Sequence, residues 1–388
     1  MADLRLRLHY ISQLIQAGRL AEAETTLELT RADAGGDVLV DGMEGFLHYR
    51  RHQYDRAAEV LAKASATPGS PPWWRVVLAM SHFAAGREDQ ARQVTDALMK
   101  ADQRGAVEAV QSMVNAGLLD VRQTPSAAGA LALSFLYQTM GNRRGALLAL
   151  NDGAKAAPKD LRLQLARAPL LAEVLDVQGG LKAIAEAIEA VGDRAPLYRA
   201  QAVLLGRAKK LEESAASLKQ AVALDGDLGT RLQLGAVYHQ LGKIPEALAE
   251  YEAVAAAPDP MMSGAACAAL GALLIDVKRW KEAEAVLQKG IAMAPTRAEL
   301  VNNLAWLYVT EESDLRNPPR ALELALKAVA MTEERNAAIL DTLAEAYFAT
   351  GNVPKAIETA RKATALAPSI TIFRDHLARY EKAAPPAK

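Results

Sequence analysis

One short pattern recurs along the chain and limits what it can fold into. The pattern is a small residue, a large residue four positions later and a second small residue after three more, with alanine or threonine in place of the large residue in some copies. The opening residues are Ala23, Ala57, Ala91, Ala146, Ala183, Ser214, Ala247, Ala283, Ala321 and Ala356. Their spacing is 31 to 38 residues, except for 55 between Ala91 and Ala146, where about 21 residues are inserted. A fixed period of this length is typical of stacked repeats, because one unit cannot bury its own apolar face.

Each copy predicts two helices joined by a turn. The copies at 340–368 and 130–158 share identical spacing. A leucine, a small residue and a tyrosine at i, i+1 and i+4 form an apolar stripe on a first helix. Glycine then permits the positive φ that ends this helix, and an alanine on a second helix allows close backbone approach. The positions in the copy at 340–368 are Leu340, Leu343, Ala344, Tyr347, Gly351, Ala356, Ala360, Ala363 and Pro368.

This pattern resembles the tetratricopeptide repeat family across residues 4–369. The resemblance implies an all-α fold, a right-handed α-α superhelical solenoid of about ten helix pairs. It also implies that the first helices of the pairs line a concave groove in which a partner binds.

Departures from the period suggest the domain organisation. We expect three units over 1–103, an irregular insertion with an extra helix over 104–125, and seven units over 126–369. Within the last segment, the unit at 160–193 is degenerate, with Pro169 where a helix should run, and residues 311–319 lengthen one turn. Residues 370–388 should form a capping helix, from Thr371 to Lys382, followed by a tail.

Composition excludes several classes of function. Lys and Arg number 45 against 46 Asp and Glu, which argues against a general nucleic-acid binder. Basic pairs near the turns complement helix dipoles, an interpretation we favour over a stripe for an anionic ligand. No long apolar segment predicts membrane insertion, and charges break up the N-terminus, so no signal peptide is expected. The expected location is therefore cytoplasmic, or periplasmic and envelope-associated if a leader has been removed.

Residue patterns for catalysis, metals or cofactors are missing. Phosphate-binding, dinucleotide-binding, nucleophile-elbow and His-Glu-x-x-His motifs do not occur. His48 and His52 are four residues apart but lack a third ligand nearby, and the single cysteine, Cys267, stands at a packing position. We therefore expect no enzyme activity, no cofactor and no metal.

The resemblance places candidate partner-binding residues on the first helices. They are Phe46, Tyr49, Trp73, Met80, Phe83, Leu131, Phe135, Gln138, Asn302, Trp306, Asp341, Glu345 and Phe348. Aromatic residues often anchor interfaces, and Trp306 is the strongest candidate because its helix has a complete stripe without it. Neither the basic clamp of chaperone-tail binders nor the asparagine ladder of the O-linked N-acetylglucosamine transferase is present at the matching positions.

The leading hypothesis is a non-enzymatic scaffold or adaptor that holds a protein or peptide segment in the groove. The alternative is the repeat arm of a bacterial envelope machine for assembly, secretion, pilus formation or exopolysaccharide export, because the Ala- and Leu-rich style resembles bacterial members of the family. An RNA-binding helical repeat is disfavoured by the charge balance, and a regulatory repeat domain of a larger enzyme is a remote alternative. Self-association through the ends of the array stays open.

Overall fold

A computed structural model describes residues 2–34, 36–115 and 127–384. All regular structure in these ranges is helical, and the described residues contain no strand. The chain divides into two compact units, Met1–Ala208 and Lys209–Lys388, which are taken in turn.

Unit 1 contains eleven helices in the order of the chain. They are α1 (Ala2–Gln16), α2 (Leu20–Ala34), α3 (Val38–Arg50), α4 (Tyr54–Ser65), α5 (Pro72–Ala84), α6 (Glu88–Asn115), α7 (Ala127–Thr139), α8 (Arg143–Ala156), α9 (Leu161–Val174), α10 (Val177–Val191) and α11 (Ala195–Arg207). Each odd-numbered helix up to α9 packs against the helix that follows it, and also against the next odd-numbered helix. Unit 1 is therefore a linear stack of helix pairs.

Unit 2 contains ten helices. They are α12 (Leu211–Asp225), α13 (Leu228–Gln240), α14 (Ile244–Ala255), α15 (Pro260–Asp276), α16 (Trp280–Met293), α17 (Ala298–Val309), α18 (Pro318–Met331), α19 (Ala337–Ala349), α20 (Val353–Leu366) and α21 (Thr371–Ala383). From α13 onward each first helix packs against its second helix and against the next first helix, up to α21. The predicted fold class, an all-α solenoid of helix pairs, is confirmed within each unit.

The recurring small residue lies where the two helices of a pair cross. All ten of the positions predicted from the sequence, from Ala23 to Ala356, are 3% exposed or less. A larger side chain there would force the helices apart, since packed interiors leave few voids. The period in the sequence therefore reflects the close approach of the two helix backbones in each pair.

The turns within the pairs share one backbone feature. In eight of the ten copies, the residue five positions before the buried small residue has a positive φ. Glycine takes this position in five copies, but His52, Lys209 and Lys278 take it with φ of 58 to 61°. The two copies without it are those with Ala183, which lies in the predicted degenerate unit, and Ala321, which follows the lengthened turn.

Asparagine and aspartate residues fix where many helices begin. Their side chains accept hydrogen bonds from backbone N–H groups of the first turn, which have no partner inside the helix. The capping residues are Asp37, Asn142, Asp160, Asp176, Asp227, Asp259, Asn317, Asn336 and Asn352.

The segments that depart from the period are also helical or tightly turned where the structure describes them. Pro169 lies inside α9, which continues through it. In α6, Asp102 has non-helical φ and ψ of −158° and 89°, and its carboxylate accepts a hydrogen bond from the Gly105 N–H at 2.9 Å. Asp102 thus caps a second helical segment over residues 103–115, here called the inserted helix. Residues 116–125 of the expected insertion over 104–125 lie outside the described residues.

Helix α21 runs from Thr371 to Ala383, within the segment where the sequence predicts a capping helix. In the lengthened turn, the Asn317 N–H donates to the carbonyl of Tyr308 at 2.7 Å, and Ser313 is buried. No helix in the described part of the chain is long and apolar enough to cross a membrane.

Candidate functional site

The first helices of unit 1 do not offer the aromatic surface that the sequence predicts. Phe46 and Met80 are 1% exposed, and Tyr49 is also buried. The Tyr49 hydroxyl points at the sulfur of Met80, 3.9 Å away, and burial raises the pKa of this phenol. In place of the expected role in a groove, these three side chains have a role in packing.

The inserted helix explains why side chains of these first helices are buried. Its residues Ala106, Val110 and Met113 are buried and belong to the same apolar cluster as Phe46 and Met80. Spacings of four and three residues place them on one face of a helix. The inserted helix therefore covers first helices that would otherwise be open to solvent.

Packing beneath the inserted helix is incomplete. A cavity of about 270 Å³ lies between it and helices α1, α3 and α5. Trp73 is half-buried at this cavity and makes an edge-on contact with Phe46, with ring centroids 5.6 Å apart. Its lining residues are Ser12, Met43, Phe46, Pro72, Trp73, Ala109, Ser112 and Met113.

The remaining candidates of unit 1 lie on α5 and α7. Phe83 and Phe135 are half-buried and stack on each other with ring centroids 4.8 Å apart. The Arg92 guanidinium lies 5.9 Å from the Phe135 ring, in a cation–π arrangement. Leu131 is half-buried, and Gln138 is exposed. The two phenylalanine rings thus pack on each other, and part of each side chain stays accessible to solvent.

Unit 2 keeps a more open candidate on α17. Trp306 is half-buried, and Asn302 lies one turn before it on the same face. The Oδ1 atom of Asn302 is buried and accepts no hydrogen bond from the described residues. Because buried polar atoms are normally paired, this acceptor is unusual.

Trp306 is part of a group of side chains at the end of unit 2. The C-terminal cluster consists of Trp306 on α17, Asp341, Glu345 and Phe348 on α19, and His376, Arg379 and Tyr380 on α21. The rings of Trp306 and His376 are stacked with centroids 6.3 Å apart. The last three residues are spaced by three and one, so that they share one face of α21.

Asp341 binds the imidazole of this cluster. The Nδ1 atom of His376 lies 2.9 and 3.0 Å from the two carboxylate oxygens of Asp341. The acceptor is a carboxylate, so Nδ1 carries the hydrogen. The hydrogen bond to Asp341 raises the pKa of His376, against the opposing effect of burial.

Glu345 binds the other two polar groups of α21. It forms an ion pair with Arg379 and accepts a hydrogen bond from the Tyr380 hydroxyl at 2.6 Å. The Tyr380 ring packs on Phe348, with centroids 4.7 Å apart, and burial raises the pKa of its hydroxyl. Arg379 also lies 5.1 Å from the Phe348 ring.

Asp341 and Glu345 are therefore not the open acidic residues that the sequence predicts. Both are buried, and their charges are matched by the basic residues of α21. Sequence reasoning identified the capping helix but missed His376, Arg379 and Tyr380 as the partners. Their spacing on the predicted helix was the only available sign, and it does not reveal which acids they meet.

The structure shows no arrangement for metal binding within its described ranges, where no three His, Cys, Asp or Glu side chains converge. His48 contacts Gln53 at 2.7 Å, whereas His52 contacts Tyr54 at 2.7 Å. Cys267 is fully buried, and burial raises the pKa of its thiol. The prediction that Cys267 is a packing residue is confirmed.

Stacked helix pairs of about 34 residues, with a buried small residue at each crossing, define the chain as a helical-repeat protein. A family model described as "tetratricopeptide repeat" matches residues 48–114, and a second model of the same description matches residues 228–253. These two matches, one in each unit, support a tetratricopeptide repeat protein. Proteins with this fold are commonly scaffolds for protein interactions and are typically non-catalytic.

Several solved structures are similar in fold. The tetratricopeptide domain of P58(IPK) is 16% identical, with 98% of each chain covered and a TM-score of 0.33. The Cut9–Hcn1 complex of APC/C is 12% identical over 96% of this chain and 89% of that one, with a TM-score of 0.43. MamA from Desulfovibrio magneticus RS-1 is 25% identical over 46% and 97%, with a TM-score of 0.36. With TM-scores below 0.5 these similarities carry no weight in the assignment, and no curated protein matches the chain.

Proposed function

We propose that this protein is a non-enzymatic scaffold that binds a segment of a protein partner on the first helices of unit 2, around Trp306. The observation that carries the proposal is the half-buried Trp306 on α17, with the unpaired acceptor of Asn302 one turn away. A tryptophan supplies a large apolar contact at small entropic cost. An amide can bond the backbone of an extended segment.

Unit 1 supports this choice by contrast. Phe46 and Met80 are buried, so they offer no surface to a partner. Phe83 and Trp306 are both half-buried and each stacks on a neighbouring ring, and Trp306 has in addition the unpaired acceptor of Asn302 one turn away. The role of the inserted helix as a separate domain element, and self-association through the ends, remain predictions.

The experiment compares two tryptophans of unit 2. Trp306→Ala and Trp280→Ala remove similar half-buried side chains, but Trp280 lies at the start of α16. Tagged full-length variants are used to capture proteins from the organism that encodes the chain, with quantitative mass spectrometry. Segments of the captured protein are then titrated against purified variants by calorimetry.

We expect one protein to be retained by the wild type and by Trp280→Ala, with at least about tenfold weaker binding to Trp306→Ala, as for an interface anchor. Asn302→Ala should weaken the same segment by a smaller factor. Equal binding by both tryptophan variants would contradict the proposed site. Turnover of a captured small molecule by the purified chain would contradict the non-enzymatic assignment.

The alternative role as the repeat arm of a bacterial envelope machine stays a prediction. It would be distinguished by the identity of the captured protein, because an envelope component would have to be bound at the same site.

A further inference from the structure

The last helix of the chain is attached differently from the helices before it. Of the 13 residues of α21, only Phe373 and Tyr380 are buried. By comparison, eight residues of α19 are buried in a helix of the same length. Tyr380 belongs to a small apolar cluster of its own with Ala344, Ala356 and Ala360, separate from the main cluster of unit 2. Compared with α19, α21 therefore buries fewer side chains, and Phe373 and Tyr380 are the two that it buries.

Polar contacts between α21 and α19 add to the few apolar contacts of α21. His376 and Asp341 form a pair whose side chains are only 16% and 7% exposed. The second pair joins Arg379 to Glu345, which also accepts the bond from Tyr380. Protonation of His376 converts its hydrogen bond to the Asp341 carboxylate into an ion pair between shielded groups, so the charge of His376 matters for the contact.

We infer that His376 makes α21 a protonation-dependent latch, which is held more tightly in mild acid than in mild base. Protonated His376 gives Asp341 a charged donor in a site largely shielded from water. When the imidazole loses its proton, Nδ1 keeps its hydrogen but the ion pair is lost. The charge on Asp341 is then buried with a neutral partner, which favours release of α21.

The direction of the pH effect on α21 follows from the difference in the pKa of His376 between the folded and unfolded states. The pKa of His376 is raised in the folded state by the hydrogen bond to Asp341. A raised pKa contributes stability that is fully present below the unfolded value of about 6.5 and is lost as the pH rises through the folded value. Attachment of α21 should therefore weaken across neutral pH.

The charged groups that act on His376 have been placed on each neighbouring helix. Asp341 and Glu345 face it from α19 and favour its protonation, and Arg379 on α21 opposes it. On α17 the neighbour is the uncharged ring of Trp306. Helix α20 meets α21 through Arg361, whose partner is Glu381 in the last turns of α21. The two acids outnumber the one opposing base.

Release of α21 would uncover Asp341, Glu345 and Phe348 on α19 and the neighbouring ring of Trp306. The latch itself does not depend on the proposed function, because it is measured on the full chain without a partner.

Amide hydrogen exchange tests the latch directly. Exchange of the segment 371–383 is followed by mass spectrometry at pH 6 and pH 8, and each rate is divided by the intrinsic rate at that pH. The variants are His376→Gln and Asp341→Asn. His239→Gln is the matched control, because His239 lies 3.3 Å from Asp276 in an exposed pair between α13 and α15.

In the wild type and in His239→Gln, we expect the corrected opening to increase at least about twofold from pH 6 to pH 8. In His376→Gln and Asp341→Asn the increase should disappear. A wild-type ratio of one, or a ratio unchanged in His376→Gln, would overturn the latch.

A second measurement covers the case in which the variants leave α21 unprotected at both pH values. The imidazole of His376 is titrated in the wild type by NMR with labelled histidine, using His376→Gln for assignment. A pKa above the ordinary value of about 6.5 supports the latch, and a pKa at or below that value overturns it.

Discussion

Replacement of Gly42 by alanine tests whether close helix approach, and not helix propensity, requires glycine at the contact between α3 and α5. Gly42 lies on α3 and faces Trp74 on α5. A Cβ atom added at Gly42 would lie 2.1 Å from the Trp74 ring, whereas ordinary contact begins at 3.4 Å. Trp74 is 1% exposed, so its ring has no free space into which to move.

The expected change in the free energy of unfolding for Gly42→Ala is the difference between two effects. Alanine is favoured over glycine in a helix interior by about 1 kcal/mol. Overpacking a filled core costs about 1–3 kcal/mol, and a rigid indole ring places the cost at the upper end. We therefore expect Gly42→Ala to lower the free energy of unfolding by about 1–2 kcal/mol.

Gly206→Ala is the matched control in the same unit. Gly206 lies in α11, and a Cβ atom there would meet nothing within 4 Å. This variant should gain about 0.5–1 kcal/mol from propensity alone. Urea unfolding followed by circular dichroism measures both, and hydrogen exchange of α3 and α5 localises the loss, since repeat arrays need not unfold in one step. If Gly42→Ala is as stable as Gly206→Ala, close approach of α3 and α5 does not explain this glycine.

Two further predictions concern unit 1. Asp102→Ala should lower the stability of the inserted helix by about 1 kcal/mol through loss of its cap on Gly105, measured as faster amide exchange over residues 103–114, with exchange over α4 unchanged. Burial, together with Arg87, lowers the pKa of His82, so its contribution to stability is present above about 6.5 and is lost as the pH falls. The urea midpoint of His82→Gln should therefore decrease less than that of the wild type from pH 7 to pH 5, and parallel decreases would contradict the assignment.

Much of the fold could be predicted because the repeat is local. Each unit uses contacts between neighbours in the sequence, so spacing alone locates the crossing alanines, such as Ala57 and Ala283. The capping helix was also predictable from its amphipathic pattern. The turns at His52 and Lys278 were not, because their positive φ is imposed by the pairing of two helices and not by the residue type.

The candidate site was predicted less well. The repeat pattern identified Trp306 as a groove residue but assigned the same role to the buried Phe46 and Met80. All three residues lie at or near the same position relative to the apolar stripe of their helix. What separates them is whether another segment of the chain covers them.

By itself, the sequence determined the helix pairs and the places where the period is interrupted, because these follow from a spacing that recurs along the chain. Only the tertiary structure decided that the inserted helix covers the first helices of unit 1. It also decided that Asp341 and Glu345 are matched by α21, some 35 residues further along. Solvent exposure and charge pairing depend on which surfaces meet, and a periodic pattern leaves that choice open.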